Sequence, residues 1–175
     1  MLVLLPVLGN IGRPKSEFHK TLWFDSYVFK LSTNDSGAVR KSVLEVFRKS
    51  ELLITIRQKI DGYIVNAEVD DLDKNGFPEI YFYSTTYGSG SFGKIYGYEF
   101  FPASFDAIHT EPLTKAQANG YMGHDRYAIE NGLLIRRFPI YKSGDANAFP
   151  SGLTRLVRYQ LTTTPDKKLL LKSYF

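Results

Sequence analysis

Apolar and polar residues alternate with a period of two along most of this chain. Tyr27, Phe29 and Leu31 share one side, with Val28 and Lys30 on the other. Leu52, Ile54 and Ile56 alternate with Leu53, Thr55 and Arg57, and Tyr63, Val65, Ala67 and Val69 with Ile64, Asn66 and Glu68. Tyr81 and Tyr83 oppose Ile80 and Phe82, and Val157, Tyr159 and Leu161 oppose Arg158 and Gln160. A period of two marks strands, and short strands recurring about every ten residues between turn residues predict an all-β protein. Two stretches also admit a helix. Val39, Val43, Leu44, Val46 and Phe47 fit a helical stripe, although Val43, Glu45 and Phe47 alternate as well, and "RKSE" reads as a turn. "LTKAQANG" predicts a short helix ended by Gly120. The expected fold is a single-domain antiparallel β-sandwich or barrel-like sheet pair with at most a short helix.

Composition narrows the function. A chain of 175 residues is about one domain, too small for a complete kinase or a two-domain dehydrogenase. Aromatic residues, mostly Tyr and Phe, make up 15% of it and suit half-buried pleated surfaces. The absence of cysteine removes thiolate metal sites and cysteine nucleophiles. The formal charge of +4 is spread along the chain without a dense basic block, so no nucleic-acid partner is expected. Residues 1–19 are set apart from a β domain over 20–175. The apolar run Leu2–Leu8 is shorter than the roughly 20 residues that span a bilayer, so no membrane span is expected. It reads either as the remnant of a secretory signal or as an end that packs on the domain.

Two loops carry candidate chemistry. "TTYGSGSFGKIYGY" contains G-x-G-x-x-G at Gly88, Gly90 and Gly93. A dinucleotide site needs a helix straight after such glycines, and "KIYGYEFF" is strand-like instead. The chain also lacks V-A-I-K and D-F-G, and "GHDRY" is not a kinase catalytic loop. No nucleotide partner is expected. What remains is a hairpin loop with small residues, donor hydroxyls and open amides. The second loop, "DDLDKNGFPEIY", places Asp71, Asp73, Asn75 and Glu79 in D-x-[DN]-x-[DN]-G-x-x-[DE] around a sharp turn at Gly76. Hard cations take several oxygens from a tight turn, so this is a calcium candidate. Phe82 stands at the twelfth position, where an EF-hand needs glutamate. The competing reading is a turn whose carboxylates accept from its own amides. His19, His109 and His124 lie far apart without metal-ligand spacing, no nucleophile elbow is present, and no enzyme is expected.

The stretch "GYMGHDRYAIENGLLIRRFPIYKSGDANAFPSGLTRLVRYQL", Gly120 to Leu161, resembles the signature region of the periplasmic inhibitors of invertebrate-type lysozyme, the PliI family. The ordered motifs are G-Y-x-G-H-D, then R-R-F-P-x-Y, then G-D-x-N-A-x-P. Upstream, "IDGYIVNAEVDDLDKNGFPEIYFYS" is similar to the family's I-D-G, A-E-V, D-L and P-E-x-Y segments. The resemblance covers roughly Lys59 to Leu161. It implies an all-β periplasmic or secreted inhibitor whose partner is a host lysozyme, blocked by insertion of the loop Gly88, Ser89, Gly90, Ser91, Phe92 and Gly93 into the active-site cleft. Ser89 matches the serine that matters for inhibition. Phe92 stands where the family has tyrosine, and Leu153 departs from its P-T-G-G pattern. The alternative is a calcium- or glycan-binding β module on the same scaffold.

Overall fold

The computed structural model describes residues 17–34, 40–166 and 168–174. Residues 1–16, which include the apolar run Leu2–Leu8, lie outside the described residues, as does Val39. Among the described residues the protein is all-β with one short helix. In chain order the elements are β1 (His19–Phe24), β2 (Tyr27–Asn34), β3 (Arg40–Arg48), β4 (Glu51–Ile60), β5 (Tyr63–Asp70), β6 (Glu79–Thr85) and β7 (Gly93–Phe100). They continue with β8 (Phe105–Thr110), α1 (Lys115–Ala118), β9 (Arg126–Glu130), β10 (Leu133–Pro139), β11 (Thr154–Thr163) and β12 (Leu169–Tyr174).

The first four strands form an antiparallel meander, β1-β2-β3-β4. The segment that admitted a helix is β3, because Leu44 and Val46 pair opposite Leu31 and Phe29 and all four are buried. Val43 and Phe47 take the other face, where Lys30 Nζ lies 4.6 Å over the Phe47 ring. Lys49 and Ser50, with φ of 49° and 69°, make the two-residue turn into β4, the geometry that matches strand twist.

The remaining eight strands form one sheet in the order β5-β6-β7-β8-β12-β11-β10-β9. Neighbours are antiparallel except β8 and β12, which run parallel (Leu169 beside Ile108). The sheet curls until its edges meet. Glu68 Oε2 on β5 accepts from the Tyr83 hydroxyl (2.8 Å) and from the Ile129 amide on β9 (3.1 Å). Inside the curl Tyr81, Tyr83, Leu134, Phe138, Val157 and Tyr159 form one core. The other core packs Phe29, Leu31 and Val46 of the meander against Ile80, Phe82 and Phe100. Strand β6 is buried along its whole length because it faces both cores. Full burial of each large apolar side chain contributes about 1.5–3 kcal/mol.

Two bulges break the simple alternation. Val65 is the extra residue between Ile64 and Asn66, which moves Ile64 and Ala67 into the same core and leaves Val65 exposed. Leu53 is the extra residue opposite the Val46–Phe47 step, so Leu53, Ile54 and Ile56 all pack partly on the core while Leu52 is exposed. The short helix forms where expected. Thr114 and Gln117 close a reciprocal capping box, and Gly120 turns the chain out at φ 75°. Among the described residues no helix is long and apolar enough to cross a membrane.

Candidate functional site

The glycine loop joins β6 to β7 and is closed at its neck. Thr86 N donates to Phe92 O (2.9 Å), and Phe92 N donates to Thr86 Oγ1 (2.9 Å). Within it, Gly88 at φ 106° and Ser91 at φ 43° bend the backbone. The loop neither hangs free nor collapses onto the sheet. Its backbone is tied to two other loops while Ser89 and Phe92 stay exposed.

The first tie comes from the connection 119–125. His124 N donates to Gly90 O (2.7 Å) and shares its proton with Ser91 O (3.1 Å). Gly123 makes this approach feasible, since a Cβ there would stand 1.8 Å from Gly90 O, and its φ is 93°. The second tie comes from the connection 140–153, where Asn147 Nδ2 donates to Ser89 O (2.8 Å). That connection is itself held by Asp145, whose Oδ2 accepts from Lys142 N (2.7 Å) and Ser151 N (2.8 Å). These amides, Ser151 first, keep the Asp145 carboxyl below its ordinary range.

Beneath the loop lies a buried polar cluster. Asp125, with no exposed side-chain surface, accepts from Gly93 N (2.6 Å), the Tyr121 hydroxyl (2.5 Å) and Arg136 Nε (2.7 Å). Arg136 Nη2 also donates to Tyr121 Oη (2.8 Å), and its guanidinium faces the Tyr121, Tyr127 and Phe138 rings at 4.9–5.7 Å. Burial, reinforced by the bond to Asp125, raises the Tyr121 phenol above its usual range. His124 and Asp125, although adjacent in the chain, do not pair with each other. Asp125 takes Arg136 and Tyr121 as partners, and His124 stacks on Tyr141.

Ser89 and Phe92 are exposed at the loop surface. The Phe92 ring, 48% exposed, meets Tyr121 edge-on at 5.7 Å and closes over Gly90, where a Cβ would strike its Cε2 at 2.4 Å. Tyr87 leans on Tyr63 (5.1 Å) with Arg40 over its ring (4.8 Å) and remains 55% exposed. Tyr96 is not a substitute for the missing phenol at position 92, because its hydroxyl accepts from Asp61 N (2.8 Å) and its ring stacks on Phe82. Met122 and Phe149, on the two supporting loops, are also exposed. The period-two pattern gave no sign of these two, since loop residues carry no periodicity. A cavity of about 540 Å³ adjoins the loop, lined by Ser91, His124, Arg126, Arg137 and Thr154.

The acidic loop caps the far ends of β6 and β7. Asp71, Asp73 and Glu79 each bring an oxygen within 4.8 Å of the others. Asp71 also accepts from Asn75 N (3.0 Å) and Gly76 N (2.9 Å), the bonds of a self-capped turn. Asn75 behaves differently from the other three. Its Oδ1 accepts from Phe77 N (2.8 Å), and its Nδ2 bridges Asp73 and Glu99. Glu99 was invisible in the loop motif because it arrives from β7, directly across from Glu79. Burial pushes the Glu79 carboxyl up to about 8 and raises those of Glu99 and Asp73.

No family model matches this chain. Neither a curated protein nor a solved structure proves similar to it.

Proposed function

We propose that the protein is a lysozyme inhibitor, periplasmic or secreted, that seats the Gly88–Gly93 loop in the active-site cleft of a host lysozyme, most naturally an invertebrate-type one. The observation that carries this reading is the division of labour in the loop. Its backbone oxygens are consumed by His124 and Asn147 from behind, while Ser89 and Phe92 face outward. A loop held in this way loses little conformational entropy on docking, which favours tight association. The residues that do the holding, Gly123, His124, Asp125, Arg136 and Asn147, come from the same motifs that carry the resemblance. Exposed Tyr87, Phe92, Met122 and Phe149 lie on the three joined loops, and aromatic and Met side chains are enriched in protein interfaces.

The chemistry suits a glycosidase cleft. Retaining glycosidases flank the scissile bond with two carboxyl groups. The Ser89 hydroxyl donates to one of them, and hydrogen bonds to charged groups are the stronger kind. Phe92 contributes ring packing without the hydroxyl of a tyrosine.

The test is residual lysozyme activity on cell walls with added protein, across lysozyme types. Inhibition at micromolar concentration is expected. Ser89→Ala should then weaken inhibition about 10- to 100-fold, the loss of one hydrogen bond to a charged group, at an unchanged melting temperature. Phe92→Tyr should leave it intact or strengthen it. No inhibition of any lysozyme type would overturn the proposal, and binding of peptidoglycan fragments with lysozyme unaffected would favour a glycan-binding module.

A further inference from the structure

The geometry points to a calcium site at the acidic end of the β6–β7 ladder, with Asp71, Asp73 and Glu79 as ligands and Glu99 as a buried charge beside them. It does not depend on the lysozyme reading, since it lies at the opposite end of β6 from the Gly88–Gly93 loop. Oxygens that share one calcium ion stand 2.3–2.6 Å from it, so no two of them can be more than about 5 Å apart. The three carboxylates meet that limit, at 4.8 Å or less. All donors are oxygens, as a hard cation requires.

Acidic clusters are common on protein surfaces, and a turn can collect carboxylates for its own amides. Two further observations separate this cluster from such a turn. Glu79 is fully buried, and while its Oε2 accepts from Leu72 N (2.8 Å), its Oε1 has no hydrogen-bond partner. Glu99, 1% exposed, likewise has an unpartnered Oε2. Buried polar atoms are almost always satisfied, and each exception calls for a cause. The second observation is register. Glu79 and Glu99 are direct cross-strand partners, a placement in which like charges repel. Among the described residues, the ion pairs of Lys94, Arg136, Arg137 and Lys168 all go elsewhere. The contacts that reach the cluster are neutral donors, from Leu72, Asn75 and Gly76. A divalent cation supplies the missing positive charge and partners the open oxygens together. Calcium fits better than magnesium, because the donors come from a turn and two strands whose spacing is set by the fold, and calcium tolerates irregular geometry.

The test uses the full chain, treated with chelator and then titrated with calcium chloride. At about 5 mM calcium, roughly 5- to 50-fold above the Kd of extracellular calcium modules, the melting temperature should rise by roughly 2–9 °C. Terbium should bind in place of calcium, with luminescence sensitised through Tyr81, and calcium should displace it. Glu79→Gln should abolish the calcium-dependent shift. Should that variant fail to fold, Asp73→Asn, at an exposed position, should reduce the calcium response at least tenfold in concentration. No heat and no thermal shift with calcium, an equal shift with magnesium, or an undiminished response in Asp73→Asn would each overturn the site.

Discussion

Gly123 shows how one missing methyl group shapes the candidate site. Any Cβ at this position would overlap Gly90 O at 1.8 Å, and φ of 93° is strained for an L side chain whatever the space. The close approach lets His124 N reach Gly90 O and Ser91 O in the loop backbone. Gly123→Ala should therefore cost at least about 1–3 kcal/mol, the usual range for backbone strain, seen as a lower melting temperature. Hydrogen exchange at the His124 amide should accelerate more than exchange in β10. Equal acceleration in both would mean that the glycine serves global packing rather than the loop. The buried Asp125 acts at the same scale. Its carboxylate is shared by Gly93 N, Tyr121 and Arg136, so the loop, the barrel wall and a buried cation meet at one side chain. Removing one partner of such a buried pair is generally far more disruptive than its net contribution suggests.

At the scale of elements, the connection between β10 and β11 acts as a brace. Asp145 folds it by accepting from Ser151 N and Lys142 N, and Asn147 then reaches Ser89 O. These amides bind the charged carboxylate, so the folded pKa lies below the ordinary 3.8. The sign follows directly. The stabilisation is fully present above the ordinary value and is lost as pH falls through the depressed one. Acidification below that point should loosen residues 142–151 before the barrel strands respond. An NMR titration of the Asp145 carboxyl should give a midpoint under 3.8, with the Ser151 and Lys142 amide shifts following it. A midpoint at or above the ordinary value would remove Asp145 from this role.

At the scale of the whole molecule, the described residues form a curled eight-stranded sheet with a four-stranded meander packed on one flank. A charged side chain links its two edges. Glu68 joins the two sheet edges through Tyr83 and Ile129. Glu68→Ala leaves a buried phenol and an edge amide without their partner, at a cost of about 2–4 kcal/mol for two groups. Exchange at the Ile129 amide should quicken, and more than at Val157 in the middle of the sheet. A variant as stable as the parent would show that packing alone closes the barrel. Stabilisation by calcium, predicted for the Glu79 end of β6, acts at the same scale because β6 belongs to both cores.

Periodicity by itself determined that the protein is all-β, since the faces Tyr27/Phe29/Leu31, Tyr81/Tyr83 and Val157/Tyr159/Leu161 are buried as their alternation requires. The short helix was legible as well, in "LTKAQANG" with Gly120 to end it. Those signals are local: a strand or a cap is specified by residues within a few positions of one another. The bulges at Val65 and Leu53 escaped because an extra residue is defined only by the partner strand it fails to match. Sheet order escaped for the same reason, above all the parallel pairing that inserts β12 between β8 and β11. The two candidate sites divide likewise. The loop Gly88–Gly93 and the ligands Asp71, Asp73 and Glu79 were legible as short motifs. The bond of Asn147 to Ser89 and the approach of Glu99 to Asn75 were not, because only tertiary folding carries those residues across 58 and 24 positions of sequence. The chain thus wrote down its strands and its loops, and the closing of one sheet upon itself decided what those loops face.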